Sequence, residues 1–491
     1  MGSALVACAE LKVIITFIFI SRRIVQNNST IQDKPIAAWV WVGLAIAVVA
    51  SRAAGLPSAP DDHDAANFLR ALENYDLAIH SPHFPGYPVY IALARTAYVL
   101  GAPAAAALAW PSIVAGALAS VAVGRSVPRL GVVAALAYAV LPGLWLADLA
   151  PRPDALATHV LVIAACALLA APSRWTMAAP LLGLSLGIRL SNWLVVLVLV
   201  GYAVWAAQPA AKRMVAAVFV ASVALWAIPL VVVTGGPVAL GNLAVAFGQG
   251  HFAQWGNTAL GQGDVLWTVR TLTWGGHLLS WAALGPAVAV VAVGVVLHLR
   301  RRAVPTALLM LGVAMVAHAA WLAVGQNPDH PRHVLPIAGL LTLAAVWVAA
   351  AHRWAMPQLA ALVACGLAVT AERWPLLAQP APEVALAQFV RDMDAEQTAL
   401  AGGSEIAVIR AIAPQVRALR VPHGVDVERA LAPAGHWPVR ALATSRAFAG
   451  QAPTQWHSVA QFAARIGVDP PGAGLTLYQR DAHRSEVVRW P

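Results

Sequence analysis

Met214–Val233 reads MVAAVFVASVALWAIPLVVV, twenty residues without a charge, and this stretch decides the fold class. About 20 apolar residues, rising 1.5 Å each as a helix, cross the hydrocarbon core of a bilayer. Thr306–Val324 is a second run of this kind. Period-two alternation is missing from both, which excludes an outer-membrane barrel. Across all 491 residues the chain is 60% hydrophobic and 11% charged, against about 45–50% and 25% for soluble proteins, and its mean hydropathy is +0.69. The composition therefore predicts an all-α polytopic membrane protein and excludes a soluble enzyme.

The net charge of +10 does not point to nucleic acid, because the basic residues form short clusters between apolar segments without interleaved aromatics. Cys8, Cys166 and Cys365 lie far apart in apolar stretches, with no disulfide or metal-ligand spacing, and read as packing residues. Breaks at charged and Pro/Gly-rich positions predict spans near 36–54, 108–124, 131–147, 155–171, 176–188, 192–207, 214–233, 277–297, 304–323, 334–350 and 357–371, about eleven in all.

Alternate loops then carry Arg22, Arg23 and Lys34; Arg125 and Arg129; Arg174; Lys212 and Arg213; Arg300, Arg301 and Arg302; and Arg353, with Asp33 as their only acid. The positive-inside rule makes these loops cytoplasmic. The opposite loops hold Asp61, Asp62, Asp64, Glu73, Asp76, Asp148, Asp154, Asp264 and Asp329. This register requires Tyr87–Gly101 to lie along the outer surface as an interfacial helix. As a span it would move Arg125 and Arg129 outside and Asp148 and Asp154 inside.

Three regions follow: an N-terminal cytoplasmic or interfacial segment at 1–35, a membrane domain at 36–373 with its first outer loop at 55–107, and a small soluble α/β domain at 374–491. Val13–Ile20 is too short to span and is read as a poorly inserted extension or the product of a mis-chosen start codon; no small-residue cleavage site follows it. In the last region Glu383–Glu396 is predicted as an amphipathic helix, with Glu405–Arg410 and Leu475–Gln479 as strands. An odd number of spans from a cytoplasmic N-terminus puts this domain outside. No fixed-period repeat supports a solenoid or an inverted-repeat transporter.

The first outer loop carries the chemistry. It runs Asp61-Asp62-His63-Asp64-Ala65-Ala66-Asn67-Phe68, then Tyr75-Asp76, then His80-Ser81-Pro82-His83-Phe84-Pro85-Gly86-Tyr87-Pro88. Carboxylates so close in sequence repel one another, so they suit orienting an acceptor, abstracting a proton or binding a cation; a solvated acidic loop is the plainer alternative. Arg189 interrupts a largely apolar run at the outer end of a span, where an ionisable residue faces a cavity or a partner, or else snorkels to head groups. Gln326-Asn327-Pro328-Asp329-His330-Pro331-Arg332-His333 packs several donors into one turn. There Arg332 can grip phosphate oxygens bidentately, and His330 or His333 can add a hydrogen bond.

An outer acid four residues before an aromatic (Asp64 to Phe68), followed by the His/Pro-Gly-Tyr-Pro stretch, resembles the first loop of GT-C glycosyltransferases. The resemblance is to the protein O-mannosyltransferase-like and lipid A aminoarabinose transferase-like branch. Trp110-Pro111-Ser112, Ala115-Gly116, Arg129-Leu130-Gly131 and Pro153-Asp154-Ala155 follow in the matching order, over roughly residues 36–335. Val334-Leu335-Pro336 resembles the Arg-Tyr-apolar-Pro entrance of related transferases, with His333 in place of Tyr. Many relatives carry Asp-Glu at the catalytic position, whereas Asp64 is followed by Ala65, so both Asp62 and Asp64 stand as catalytic candidates.

The resemblance implies a polyprenyl-phosphate-linked sugar as donor, inverting transfer to a hydroxyl by single displacement, and a multi-pass protein of the inner (plasma) membrane with its active site facing the periplasm or exterior. It places Arg189, Arg332, His330 and His333 on the donor phosphate and Asp154, His80, His83 and Tyr87 on substrate. Besides donor and membrane lipids no partner is implied, and the acceptor is unassigned. No cofactor is expected. A divalent cation among Asp61, Asp62, His63, Asp64, His80 and His83 is the weaker alternative, since Pro82 spoils helical presentation of the His pair.

Arg152, Asp148 and His159 crowd around Asp154, where a surface pair between Arg152 and Asp154 is an adequate plain reading. Gly235–Gly276, with His251, Phe252, Trp255, Trp267 and Trp274, reads as a long aromatic outer loop able to stack on sugar. The competing functions are a transporter or flippase for a lipid-linked or anionic solute, and a non-catalytic assembly protein acting through 374–491. Against transport, the ionisable residues gather at one face of the membrane.

Overall fold

The computed structural model describes residues 36–127, 130–261, 266–290, 292, 306–350, 355–377, 379–393, 398–421, 426–431, 440–448, 452–465, 468–469 and 473–480. The predicted segment 1–35 with Val13–Ile20 and Cys8, the basic residues Arg129, Arg300, Arg301, Arg302 and Arg353, Asp264, and the last residues of the expected span 277–297 lie outside them.

Helices follow the apolar runs: α1 Ala38–Ala53, α2 His63–Ala71, α3 Pro88–Val99, α4 Ala104–Ser126, α5 Gly131–Ala139, α6 Pro142–Asp148, α7 Asp154–Ala170, α8 Trp175–Ile188, α9 Trp193–Ala206, α10 Pro209–Val233, α11 Pro237–Gly250, α12 Trp267–Gly276, α13 Thr306–Gly325, α14 Leu335–Ala350 and α15 Ala355–Leu377. Among the described residues five helices are long and apolar enough to cross a membrane, or six when α5 and α6 count as one span. That pair corrects the single span expected at 131–147: the two helices meet at 64°. Pro142 opens α6, and a proline has no N–H with which to continue the ladder from α5.

Burial separates centre from rim. Most of α4 and of the helix carrying α14 is enclosed, 67% and 78% of their apolar windows, whereas α10 is 17% enclosed and turns Val220, Leu225, Ile228 and Val232 outward. In a bilayer such a face meets lipid, which is as apolar as Leu. The central helices pack through Tyr138, Leu161, Leu168, Leu182, Leu199 and Leu343. A Cβ on Gly124 would stand 2.5 Å from the Gly131 carbonyl oxygen, so glycine there lets α4 and α5 touch.

Gly235–Gly276 is not the loop the sequence predicts. It folds as α11, a π-turn at His251–Trp255, and α12. Pro237 at N1 starts α11 after Gly235 and Gly236, both at positive φ.

The C-terminal region adds α16 Pro382–Arg391, α17 Ile406–Ile412 and α18 Val427–Leu431 around a five-stranded sheet of β1 Thr398–Gly402, β2 Arg417–Arg420, β3 Arg440–Thr444, β4 Trp456–Phe462 and β5 Leu475–Arg480. The strand order is β2-β1-β3-β5-β4; β1 runs parallel to β2 and β3, with Ala399 opposite Arg417 and Ala441, while β5 is antiparallel to β3 and β4. Glu405–Arg410, expected as a strand, is instead the N-cap and first five residues of α17. The strand ends at Gly402, and Glu405 folds back to accept the Gly403 N–H at 2.8 Å. Six residues were too few to separate the two periods.

Two contacts fix the domain against the membrane helices. Ala66 of α2 is buried against Ala381, Val384 and Val408, and Trp374, where α15 leads into the domain, packs against Trp145 of α6 with centroids 4.9 Å apart and ring planes tilted by 37°. The helix that begins at Asp62 and carries Asp64 is thereby held by both domains.

Candidate active site

A cleft of about 1720 Å³ opens where α2, the 149–154 segment, the 326–333 turn and the C-terminal domain meet. Asp62 starts α2: its backbone is extended and its Oδ1 accepts the Ala65 N–H at 2.8 Å. Two residues on, in the first turn of the helix, Asp64 lines the cleft. The following segment is closed by a backbone bridge between Asp76 and Ser81 and by the Tyr75 hydroxyl, which donates to the Gly86 carbonyl at 2.8 Å. This places His83 with Nδ1 3.7 Å from Asp64 Oδ1 and Nε2 2.9 Å from the Tyr87 hydroxyl.

Three arginines face the acids. Arg332 spans two of them, Nη1 3.0 Å from Asp62 Oδ2 and Nη2 2.7 Å from Asp64 Oδ2, and its Nε lies 3.8 Å from Asp154 Oδ1. Arg152 pairs with Asp61 at 3.1 Å and with Asp62. Arg189 pairs with Asp154 at 3.1 Å and reaches His333 Nδ1 at 2.8 Å. The plain reading of an Arg152–Asp154 pair is thus corrected: Arg152 turns across the cleft to the first loop, and Asp154 is held by Arg189 and Arg332.

These partners divide the carboxylates. Burial pushes Asp61 up, with Arg152 opposing. For Asp64 burial also acts upward, but His83 and Arg332 outweigh it and hold the carboxyl well below the usual carboxylate range. Asp62 is likewise lowered, Arg152 and Arg332 overcoming its burial. His330 is pushed down to about 3 by burial and then by Arg332, so it is neutral near pH 7 and offers a hydrogen bond, not a charge. Environments that drive neighbouring acids apart are how a site separates its proton-handling groups.

The sequence-predicted residues Asp62, Asp64, Asp154, His83, Tyr87, Arg189, Arg332, His330 and His333 all line one cleft. His80 sits at its rim, exposed, in a left-handed conformation with φ 56°. Of the aromatic candidates, Phe252 lines the cleft, whereas Trp267 is exposed at 51% and Trp274 is buried beside His333. Among the described residues no three His, Cys, Asp or Glu side chains converge as a cation would require. Oxygens that a cation could use already face guanidinium groups.

Sequence reasoning missed three features. Arg152 had no signal beyond its charge, because its partners lie in a distant loop. Arg270 braces the start of the 326–333 turn by donating to the Ala323 carbonyl at 2.8 Å, the Asn257 carbonyl at 2.9 Å and the Gln326 carbonyl. Finally, Asp148 and His159 do not join Asp154: they form a buried group with Arg52 and Tyr138 inside the helices.

A polytopic helical domain with an acid- and arginine-lined cleft beneath a small α/β domain has the fold of the GT-C glycosyltransferases. Two solved structures of ArnT, an aminoarabinose transferase of this class from Cupriavidus metallidurans, share it. The one bound to undecaprenyl phosphate matches at a TM-score of 0.55 and the apo state at 0.54, each at 14% identity over 91% of this chain and 99% of that one. The Archaeoglobus fulgidus oligosaccharyltransferase in complex with Zn and sulfate matches at a TM-score of 0.49 and 15% identity, over 82% of this chain and 67% of its own. No family model matches the chain, and no curated protein matches it.

Proposed function

We propose that this protein is an inverting glycosyltransferase that moves a sugar from a polyprenyl-phosphate donor to a hydroxyl acceptor on the outer face of the membrane. In this reading the chain spans the inner (plasma) membrane about eleven times, the shorter apolar helices crossing with the long ones, and the 374–491 domain faces the periplasm or exterior. One observation carries the proposal: Arg332, a bidentate anion receptor, lies against Asp64, a candidate proton acceptor. The ArnT structure that holds undecaprenyl phosphate has the same fold and supports a lipid-phosphate donor.

The chemistry needs both groups at once. The acceptor oxygen attacks the anomeric carbon, the bond from that carbon to the phosphate oxygen breaks, the proton passes to Asp64, and polyprenyl phosphate leaves against Arg332 and Arg189. A carboxylate clamped by a guanidinium is a poor base. A donor phosphate that draws Arg332 away raises the proton affinity of Asp64, so the base becomes competent when the donor is seated. Asp62 is committed to capping α2 and to two arginines, which favours Asp64 for the proton. Asp154 orients Arg189 and Arg332, while His83 and Tyr87 stand where substrate hydroxyls would be met.

The test is an assay of purified protein in detergent, without a membrane gradient, for release of polyprenyl phosphate from a pool of lipid-linked sugars. Release is expected. Vectorial uptake into sealed vesicles with no release in detergent would overturn the proposal in favour of a transporter.

A further inference from the structure

A second cluster of charged side chains lies inside the helices, outside the cleft. Arg52 is in the last turn of α1, Asp148 ends α6, His159 is in α7 and Tyr138 in α5; their side chains are almost wholly buried. Arg52 Nε donates to Asp148 Oδ2 at 3.1 Å, Nη2 donates to the Ala139 carbonyl and Nη1 to Ser51 Oγ at 2.9 Å. His159 Nε2 meets Asp148 Oδ1 at 2.6 Å, and its Nδ1 meets the Tyr138 hydroxyl at 2.9 Å. With the Nε2 proton directed at Asp148, a neutral imidazole accepts the Tyr138 proton, which satisfies every contact in the chain.

The helix α4 leaves room for this cluster. A Cβ on Gly116 would stand 3.0 Å from Asp148 Oδ2 and 3.1 Å from His159 Nε2. Stability alone does not explain so many buried polar groups, because well-packed apolar side chains of similar volume commonly hold helices as well as a buried ion pair does. What sets the cluster apart is where its members sit in the chain. Arg52 ends the helix that leads into Asp61, Asp62 and Asp64. Asp148 lies four residues before Arg152, and His159 lies five after Asp154. Gly55 carries the same contact outward, its missing Cβ leaving space for Leu149 and Trp374.

We infer that Arg52, Asp148, His159 and Tyr138 form a positioning network that fixes the 149–154 segment, and through it Arg152 and Asp154, against the first-loop acids. The inference rests on the transferase reading for its kinetic consequence, though its structural consequence can be read without turnover. None of the four touches the cleft, so their action runs through Arg152. A misplacement of about 1 Å at such a remove is enough to cost up to about a hundredfold in rate.

The experiment uses the full chain in detergent, as wild type, Tyr138→Phe and Asp148→Asn. Hydrogen exchange is expected to accelerate about tenfold at the amides of 61–65 and 149–154 in both variants, with α9 and α10 unchanged. Exchange that stays at wild-type rates in those two segments, or that rises equally in every helix, overturns the network as a positioning device. In the transfer assay Asp148→Asn should lower kcat about tenfold while donor KM stays within about twofold. Asp148→Asn should add little to the loss caused by Arg152→Ala, because the two act through one path. Losses that multiply would show a general packing defect and sink the inference. A wild-type protein that transfers no sugar would remove the transferase reading, while the exchange result judges the network by itself.

Discussion

Arg332 Nη2 lies 2.7 Å from Asp64 Oδ2, a pair formed between residues 268 positions apart. It brings the turn before α14 against the first turn of α2, and His83 and Arg332 together keep Asp64 ionised although the carboxyl is partly enclosed. The folded protein therefore holds Asp64 below its value of about 3.9 in an unfolded chain. The sign follows directly: a depressed acid contributes stability that is fully present above the unfolded value and is lost as pH falls through the folded one.

The pair predicts a shifted pH profile. Arg332→Ala removes one of the charges that counter the burial of Asp64, so its pKa rises, and the acid limb of the kcat/KM profile should move to higher pH than in the wild type. The limb is followed with residual activity from about pH 2 to 8, because in the wild type it lies below the usual carboxylate range. An unmoved limb in Arg332→Ala would mean that Asp64 is not the titrating base.

Asp64 and Asp62 are separable by mutation. Asp64→Asn keeps volume but removes the proton acceptor together with its charge pairing to His83 and Arg332, so turnover should fall roughly 10²–10⁴-fold and the thermal midpoint should fall with it. Asp62→Asn keeps a capping oxygen yet breaks charge pairing with Arg152 and Arg332, so it should lower the thermal midpoint and affect turnover less. Parallel melting curves and transfer assays check both; near-normal transfer by a well-folded Asp64→Asn would move the role to Asp62.

The turn between Ser81 and Pro88 rests on one glycine. Gly86 has φ +90°, and a Cβ there would stand 2.5 Å from the Tyr75 hydroxyl. Gly86→Ala should cost more than about 1 kcal/mol and displace His83 and Tyr87. Tyr75→Phe, which loses only the bond to the Gly86 carbonyl, should cost about 0.5–1.5 kcal/mol. Melting and donor KM are the readouts; Gly86→Ala should cost clearly more than Tyr75→Phe, and a smaller cost for Gly86→Ala would show that backbone conformation does not hold this turn.

Much of this architecture is legible in the sequence because lipid imposes long apolar runs, and α4, α7, α10 and α14 lie where those runs do. Arg189 and Arg332 stood out because an ionisable residue beside an apolar run is rare. What the sequence hid was pairing. Arg152 and Asp154 are two positions apart yet turn to different partners, and Asp148 lies near Asp154 in sequence but faces Arg52, 96 positions away. Charge patterning locates such groups; only the packing of α1, α6 and α7 decides who meets whom. The π-turn after α11 escaped for a related reason, since glycine- and aromatic-rich composition reads as loop until neighbouring helices enclose it.

Phosphate recognition and charge alone are separable at Arg332. Its fork bridges Asp62 and Asp64 through different nitrogens, with Nε toward Asp154, a geometry that a single ammonium cannot reproduce. If the same fork receives the leaving phosphate, Arg332→Lys keeps the positive potential and loses the bidentate contact. Transfer should then fall roughly tenfold in Arg332→Lys, and by about a hundredfold or more in Arg332→Ala, where the half-buried pair Asp62 and Asp64 is also left facing one arginine fewer. Donor KM should rise in both variants, because the phosphate is held in the ground state as well as on departure. A pathway that needs only positive potential behaves differently: Lys would serve as well as Arg, and both variants would be read in vesicle uptake instead of in polyprenyl phosphate release. Equal activity of wild type and Arg332→Lys in the detergent assay would therefore remove Arg332 from phosphate recognition, whereas the ordered loss from Arg to Lys to Ala places it on the leaving group.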